Sequence, residues 1–399
     1  MFLYKNPFLL IWGLMVTCAI WLGVVTCSGL GNWPLVEDQS SVFSTFSGKK
    51  CAVQDAQRNT LFSIECSRLS EYLHFDSPLC TTSQPRPWLA VFPSQIDRPM
   101  FLCQKNPDPE WAKKDHFRVV VFGDSGVGEF PQKDRRQGSV AKLIHQTCAS
   151  GNPCDFGLHV GDVIYPEGIS DVFDQNFYGF FEHYYSSLGF PIFGALGNHD
   201  YHKNTTAFLE VSHFSKTWRA PDRFFKVTGL PSWLEIQVVD TTPLEKGTDE
   251  ISKWAQLKDS LCASPATWKW VVGHHPAHSA GKHGPSLKVR EKLEDLVREC
   301  KVNFYFSGHE HHLQWTYHDS AHYLISGGGG ASRRLLESRK NATEAVFNHH
   351  GFLEIQVNPE WLNLKFHKLT DSSDSQTVVF DCKIPPTPLK DNPNQGPCL

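Results

Sequence analysis

Five short apolar runs each lead through a glycine straight into aspartate, asparagine or histidine, and this recurrence limits the fold more than any bulk property. "VVVF" runs into "GDSG" with Asp124, "GLHV" into "GDVIY" with Asp162 and Tyr165, and "FGAL" into "GNHD" with Asn198, His199 and Asp200. Later, "WKWVV" enters "GHHP" with His274, and "VNFYF" enters "SGHEHH" with His309 and His311. Short apolar runs bounded by turn residues read as buried strands. In α/β sheets the crevice outside the carboxyl ends of the strands holds ligands, and glycine lets the backbone turn sharply beside them. A single Gly-Asp after a strand is more often a turn, and a single histidine is more often a hydrogen-bonded bystander. Repetition at five strand ends makes one shared site the better account.

From His116 onward, short apolar runs alternate with longer amphipathic stretches, the pattern of an α/β layer fold. The strand candidates are "FRVVVF", "FGLHV", "PIFGAL", "LEIQVV", "WKWVV", "VNFYF", "HYLIS", "FLEIQV" and "WLNLKF". Helix-like segments fall at 138–147, 172–187, 249–261 and 287–299. No repeat of fixed period occurs, which excludes a solenoid. The expected organisation is a leader at 1–27, a Cys-rich N-terminal extension at 28–113, the main domain at 114–370, and a surface tail at 371–399 held down by Cys382 and Cys398.

The chain has 399 residues, of which 40% are hydrophobic and 20% charged, an ordinary globular balance that excludes general disorder. A formal net charge of −4 and no long Lys/Arg run give no electrostatic reason to seek nucleic acid. No charged residue stands between Lys5 and Glu37, and the apolar stretch 8–25 is near the lower limit for a bilayer span. It reads as an export signal, either cleaved near Thr26, Ser28 or Gly29 or retained as a membrane anchor. Ten cysteines follow Cys27, an even number that suits disulfides in an oxidising compartment. Cys148 and Cys154 bracket the turn-rich "CASGNPC", Cys262 and Cys300 flank a histidine motif, and other pairings stay open. No Cys-x-x-Cys pair is present, which argues against a zinc finger. Asn204 and Asn341 match the glycosylation sequon. The extension, with cysteines at 51, 66, 80 and 103, carries no chemical constellation and reads as a disulfide-tied layer on the main domain.

Asp124, Asp162 and Tyr165 offer hard anionic oxygen, whereas Asn198, His274 and His309 offer an amide oxygen and two imidazoles. Such a split suits two ions of different hardness, and Asp162 can bridge them. Two ions a few Å apart stabilise the attacking and the leaving oxygen of a displacement at phosphorus, and water bound to them ionises at far lower pH. Phosphoester hydrolysis is the chemistry that follows.

In order and spacing, "GDSG", "GDVIY", "GNHDY", "VVGHHP" and "SGHEHHLQW" resemble the calcineurin-like metallophosphoesterases, and within them the purple acid phosphatases of the small, tartrate-resistant type, over about residues 117–366. Many relatives have Asp-x-His in the first motif. Here Ser125 and Gly126 follow Asp124, and Tyr165 stands where the purple enzymes compensate with tyrosine. The resemblance implies a β-sandwich of two mixed sheets flanked by helices. It implies that Asp124, Asp162, Tyr165 and His311 bind Fe(III), and that Asp162, Asn198, His274 and His309 bind Fe(II), Zn(II) or Mn(II). His199 and, in "GKHGPS", His283 are expected to bind the phosphoryl oxygens and assist the leaving group. His309 and His311 then address different metals, His312 takes an outer or surface position, and Glu310 turns away.

The implied function is an exported acid phosphatase that hydrolyses phosphate monoesters through a metal-bound hydroxide. A phosphodiesterase or nucleotidase on the same metals, or a membrane-bound scaffold of the same fold, are the alternatives. The sequence departs from the family in lacking an aromatic residue after Asp124, in having His275 where tyrosine is common, and in the extension 28–113.

Overall fold

The computed structural model describes residues 50–54, 60–65, 88–91, 100–102, 111–126, 135–171, 174, 176–213, 215, 217–248, 250–336, 344–370 and 373–386. The apolar segment 8–25, Cys27, Asn341 and Cys398, together with the side chains of the cysteines at 51, 66, 80 and 103, lie outside that description. Two compact units are present, 1–105 with 209–214, and 106–208 with 215–399. In the first, β1 (Lys50–Gln54), β2 (Thr60–Glu65), β3 (Trp88–Val91) and β4 (Met100–Leu102) form an antiparallel sheet in the order β2-β1-β3-β4.

In the second unit, alternation along the buried strands decides the layering. In β11 (Trp268–Val272), Trp270 and Val272 join one core while Val271 joins another, as the twofold side-chain period of a strand requires. In β12 (Phe304–Ser307), Phe304 and Phe306 likewise face one way and Tyr305 the other. Their sheet runs β15-β13-β14-β12-β11-β10-β9, with β9 (Phe225–Lys226), β10 (Leu234–Val238), β13 (Leu313–His318), β14 (Ala321–Ser326) and β15 (Glu344–Phe347). A second sheet runs β18-β17-β16-β5-β6-β7-β8, with β5 (Phe117–Phe122), β6 (Phe156–His159), β7 (Ile192–Gly194), β8 (Trp218–Arg219), β16 (Gly351–Val357), β17 (Leu362–Thr370) and β18 (Ser373–Ile384). Val119, Val121 and Leu158 from this sheet share a core with Ile236, Trp270 and Phe306 from the other. The architecture is the expected β-sandwich of two mixed sheets, with helices outside.

Two of those helices cover the outer face of the β11–β12 sheet. α2 (Ile251–Ala263) buries Trp254, Leu257 and Leu261, and α3 (Leu287–Cys300) buries Val289, Leu293, Leu296 and Val297, each at helical spacing. The Ser286 hydroxyl accepts from the Val289 N–H at 3.1 Å, and Lys301 at φ 61° ends α3 in a left-handed residue. A disulfide between Cys262 and Cys300 joins the two helices, and another between Cys148 and Cys154 closes the loop after α1 (Arg135–Ala149).

Two segments differ from the sequence reading. Residues 373–384, expected in a surface tail, form β18 and pair antiparallel with β17. Cys382 and Ile384 in its second half lie in the inner core, and the polar sequence Ser-Asp-Ser-Gln-Thr at its start hid the strand. Within 172–187, Phe177–Glu182 is a π-helical turn, wholly buried, followed by a short α-helical turn His183–Tyr185. Aromatic contacts explain its burial, with Phe181 5.2 Å from Trp218 and Tyr185 4.8 Å from Phe122.

Candidate metal centre

Strands β5, β6 and β7 are mutually parallel, as are β10, β11, β12 and β14, so their carboxyl ends gather at one edge of each sheet. The sharp turns there have a visible backbone signature. Asp124, Asp162 and His309 all take positive φ, at 54°, 51° and 69°, a conformation costly for non-glycine residues and typical of sites whose surroundings enforce it. Two glycines permit the close approach of loops. A Cβ on Gly197 would lie 2.1 Å from Asp162 Oδ1, and one on Gly308 2.4 Å from Asp124 Oδ2.

All nine residues singled out from the sequence gather at this edge. The Tyr165 hydroxyl donates toward Asp162 Oδ2 at 2.7 Å and Asp124 Oδ1 at 2.9 Å, and His311 Nε2 lies 3.1 Å away. On the other side of Asp162, His274 Nε2 is 3.4 Å from Oδ2. The Asn198 amide oxygen sits between His274 Nε2 at 3.1 Å and His309 Nδ1 at 3.0 Å. Asp162 thus stands between an oxygen-rich group and an imidazole-rich group. The His199 ring lies tilted at 4.3 Å from the Tyr165 ring, and the exposed His283 lies 4.8 Å from the His309 ring.

The tautomers follow from the other ring nitrogens. His274 Nδ1 donates to the Val160 carbonyl at 2.8 Å, and His311 Nδ1 to the Ser332 carbonyl at 2.7 Å. Each Nε2 lone pair is thereby turned toward the carboxylates, the arrangement of a metal-ligating histidine. Asp124, Asp162 and His274 are buried, and among the described residues no lysine or arginine pairs with either carboxylate. Burial and the Asp162 charge, offset in part by His274, push Asp124 up to about 8. Burial would lower His274, but Asp162 outweighs it and raises the imidazole to about 9. Burial and the two carboxylates push the Tyr165 phenol well above its ordinary value. Protons are therefore held on Asp124, Tyr165 and His274, whereas Asp162 stays ionised, because the charge and hydrogen bond of His274 outweigh its burial. A donor set of this kind fits cations, which would relieve the crowding of carboxylates and phenol without protonation.

Several positioning residues had no role assigned from the sequence. Asp200 accepts from the N–H groups of Val163 at 2.9 Å, Ile164 at 3.3 Å and Gly197 at 2.8 Å, tying the second motif to the third. His159, inside β6, contacts the Ser125 hydroxyl at 3.0 Å, and burial pushes it down to about 3. Thr241 Oγ1 accepts from the His275 N–H at 3.1 Å, and Arg334 Nη1 donates to the His309 carbonyl at 2.9 Å. Glu310 is directed into the neighbouring loop, where its carboxylate accepts the His283 N–H at 2.5 Å. His312, expected at an outer-shell or surface position, is not at the surface: it is buried just before β13 and meets Gln314 Oε1 at 3.0 Å.

Residues 117–313 match the sequence profile of the calcineurin-like phosphoesterases. The chain is similar to purple acid phosphatase 7 of Arabidopsis thaliana, at 34% identity over 60% of this chain and 78% of that protein. It is similar also to tartrate-resistant acid phosphatase type 5 of Homo sapiens, at 30% identity over 66% of this chain and 86% of that protein. Among solved structures, GAP50, the anchor in the inner membrane complex of Plasmodium, has a TM-score of 0.58 at 20% identity, covering 68% of this chain and 89% of that one, a likeness of fold.

Proposed function

The chain belongs to the calcineurin-like phosphoesterases and, among them, to the purple acid phosphatases, and from that premise we propose that it is an exported, dinuclear-metal acid phosphatase acting on phosphate monoesters. The observation that carries the reading is the meeting of two unlike donor groups on one shared carboxylate, Asp162. Asp124, Asp162, Tyr165 and His311 would hold Fe(III), and Asp162, Asn198, His274 and His309 would hold Fe(II), Zn(II) or Mn(II). When bound, the two cations supply Lewis acidity that neutralises phosphoryl charge and makes water nucleophilic in mildly acidic solution.

The rest is done by the chain. His199 is fixed by its ring, whose Nδ1 lies 2.6 Å from the Pro166 carbonyl, and by its backbone N–H, which donates to Asp162 Oδ1 at 2.9 Å. Its Nε2 is left for the substrate, to bind a phosphoryl oxygen or to hand a proton to the leaving alkoxide. His283 reaches the same edge from a different loop, and Glu310 fixes its backbone. Two imidazoles from separate loops thus frame the place where a phosphoryl group would sit. The apolar segment 8–25 supports export; no helix among the described residues is long and apolar enough to cross a membrane.

Hydrolysis of p-nitrophenyl phosphate by the chain from Ser28 onward, followed from acid to neutral pH with Asn198→Ala as the paired control, tests the reading. We expect activity strongest below neutrality and a loss of at least ~100-fold in the control. Inactivity of the wild type with both metals bound would overturn the monoesterase assignment in favour of a diesterase or a scaffold.

A further inference from the structure

Beyond the catalytic edge, the chain brings a second set of metal-capable side chains together. His278 lies in the loop 273–286 that follows β11, Glu294 in the third turn of α3, and His318 at the end of β13. One ligand atom from each comes within 4.8 Å of the other two. The His278 ring packs 4.7 Å from His318 and 4.4 Å from Tyr323. His278 Nε2 and the Tyr323 hydroxyl are both buried without a hydrogen-bond partner in the protein. Buried polar atoms are almost always paired, so two orphans side by side call for an occupant.

The local charges suit a cation. Arg290, one turn before Glu294, is anchored to the loop by its Nε, which donates to the Ala277 carbonyl at 2.8 Å. Glu294 faces the cluster, and Asp319 lies beside His318, with Oδ2 3.4 Å from its Nε2, so two carboxylates oppose one guanidinium. Two imidazoles and one carboxylate without cysteine form a donor set typical of zinc.

We propose that His278, Glu294 and His318 form a second metal site, separate from the catalytic pair, for a borderline divalent cation of the zinc class. The site is structural. Its ligands come from the loop 273–286, α3 and the end of β13, and that loop also carries His274 and His283. A cation there ties the loop to its neighbours and limits the positions open to both histidines.

The test is metal content of the full chain after equilibration with trace zinc, together with the shift of its thermal midpoint when zinc is added to metal-stripped protein. Glu294→Gln keeps shape, and His318 is half-exposed, at 48% of its side chain, so His318→Ala spares the core. We expect each variant to hold one zinc fewer per chain than the wild type and to lose part of the zinc-induced rise, with an unchanged midpoint in chelator. Asp162→Asn, in the catalytic centre, should keep this zinc while losing metal there. A variant that unfolds is recognised by its midpoint in chelator, and the other then decides. Wild-type zinc content in a folded variant would overturn the proposal.

Discussion

Asp200 shows how much of the centre depends on a residue outside the proposed ligands. Its two oxygens accept N–H groups from both sides of the gap between the second and third motifs, so one carboxylate sets the spacing of Asp162 and Asn198. Asn in its place turns an NH2 toward at least one backbone donor, and an unpaired buried donor costs about 1–3 kcal/mol. We expect Asp200→Asn to lower the thermal midpoint by several degrees and to reduce kcat more than it raises KM, read from melting curves and p-nitrophenyl phosphate kinetics. An unchanged midpoint would remove Asp200 from this role. The sequence displayed the residue in "GNHD" but not the direction of its side chain. Spacing reveals which residues reach a strand end, and the ligand candidates were legible for that reason. Which carboxylate turns to metal and which to backbone depends on loops closing from different strands. His159 was hidden in a different way, since a histidine within an apolar run carries no mark of what it touches.

At the scale of elements, the β5–β16–β17 ladder carries a buried charge cluster. Glu354 on β16 accepts from Arg118 Nε on β5 at 2.7 Å, meets His367 Nε2 on β17 at 2.7 Å, and accepts from Gln356 at 3.0 Å. Arg118 also donates to the Ser150 and Asn152 carbonyls, which ties in the loop of the Cys148–Cys154 disulfide. Burial pushes Glu354 up, but hydrogen bonds from His367, Gln356 and Arg118 outweigh it and hold the carboxyl at about 2, below the ordinary value of 4.5. A depressed folded pKa stabilises the fold fully above the unfolded value and less as pH falls toward the folded one. We expect Glu354→Gln to be about 2 kcal/mol less stable than the wild type above pH ~5, after allowance for solvent screening, with the gap closing toward pH ~2. Denaturant midpoints across that range measure it, and a pH-independent gap would refute the charge argument. None of this cluster was legible, because Arg118, Glu354 and His367 are polar residues inside strands recognised only by their apolar neighbours. β13 escaped for a related reason, since its first residues overlap the histidine motif. The parallel strands read clearly because burial on both faces leaves them almost wholly apolar.

For the molecule as a whole, the centre lies where two sheets meet, and neither sheet contains it alone. Asp124 follows β5 in one sheet and accepts the N–H of His309, which follows β12 in the other, at 3.0 Å. Cations bound there would bridge the sandwich at the edge where Asp124, Asp162 and His309 take positive φ, and their binding would then be linked to the stability of the whole second unit. Two sites, each occupied at about a thousand times its dissociation constant, together stabilise by roughly 8 kcal/mol. For a domain of this size each kcal/mol moves the midpoint by about 2–4 °C. Stripping the metals by chelation under reducing conditions should therefore lower the midpoint of the sandwich by roughly 15–30 °C, and Asp162→Asn, when metal is supplied, should recover only the smaller rise that the zinc at His278, Glu294 and His318 gives. Calorimetry of loaded, stripped and reloaded protein checks both statements. If the stripped midpoint stayed within a few degrees of the loaded one, the donor set would be preorganised by its own hydrogen bonds, such as the Tyr165 hydroxyl between two carboxylates, and the cations would serve chemistry without serving the fold.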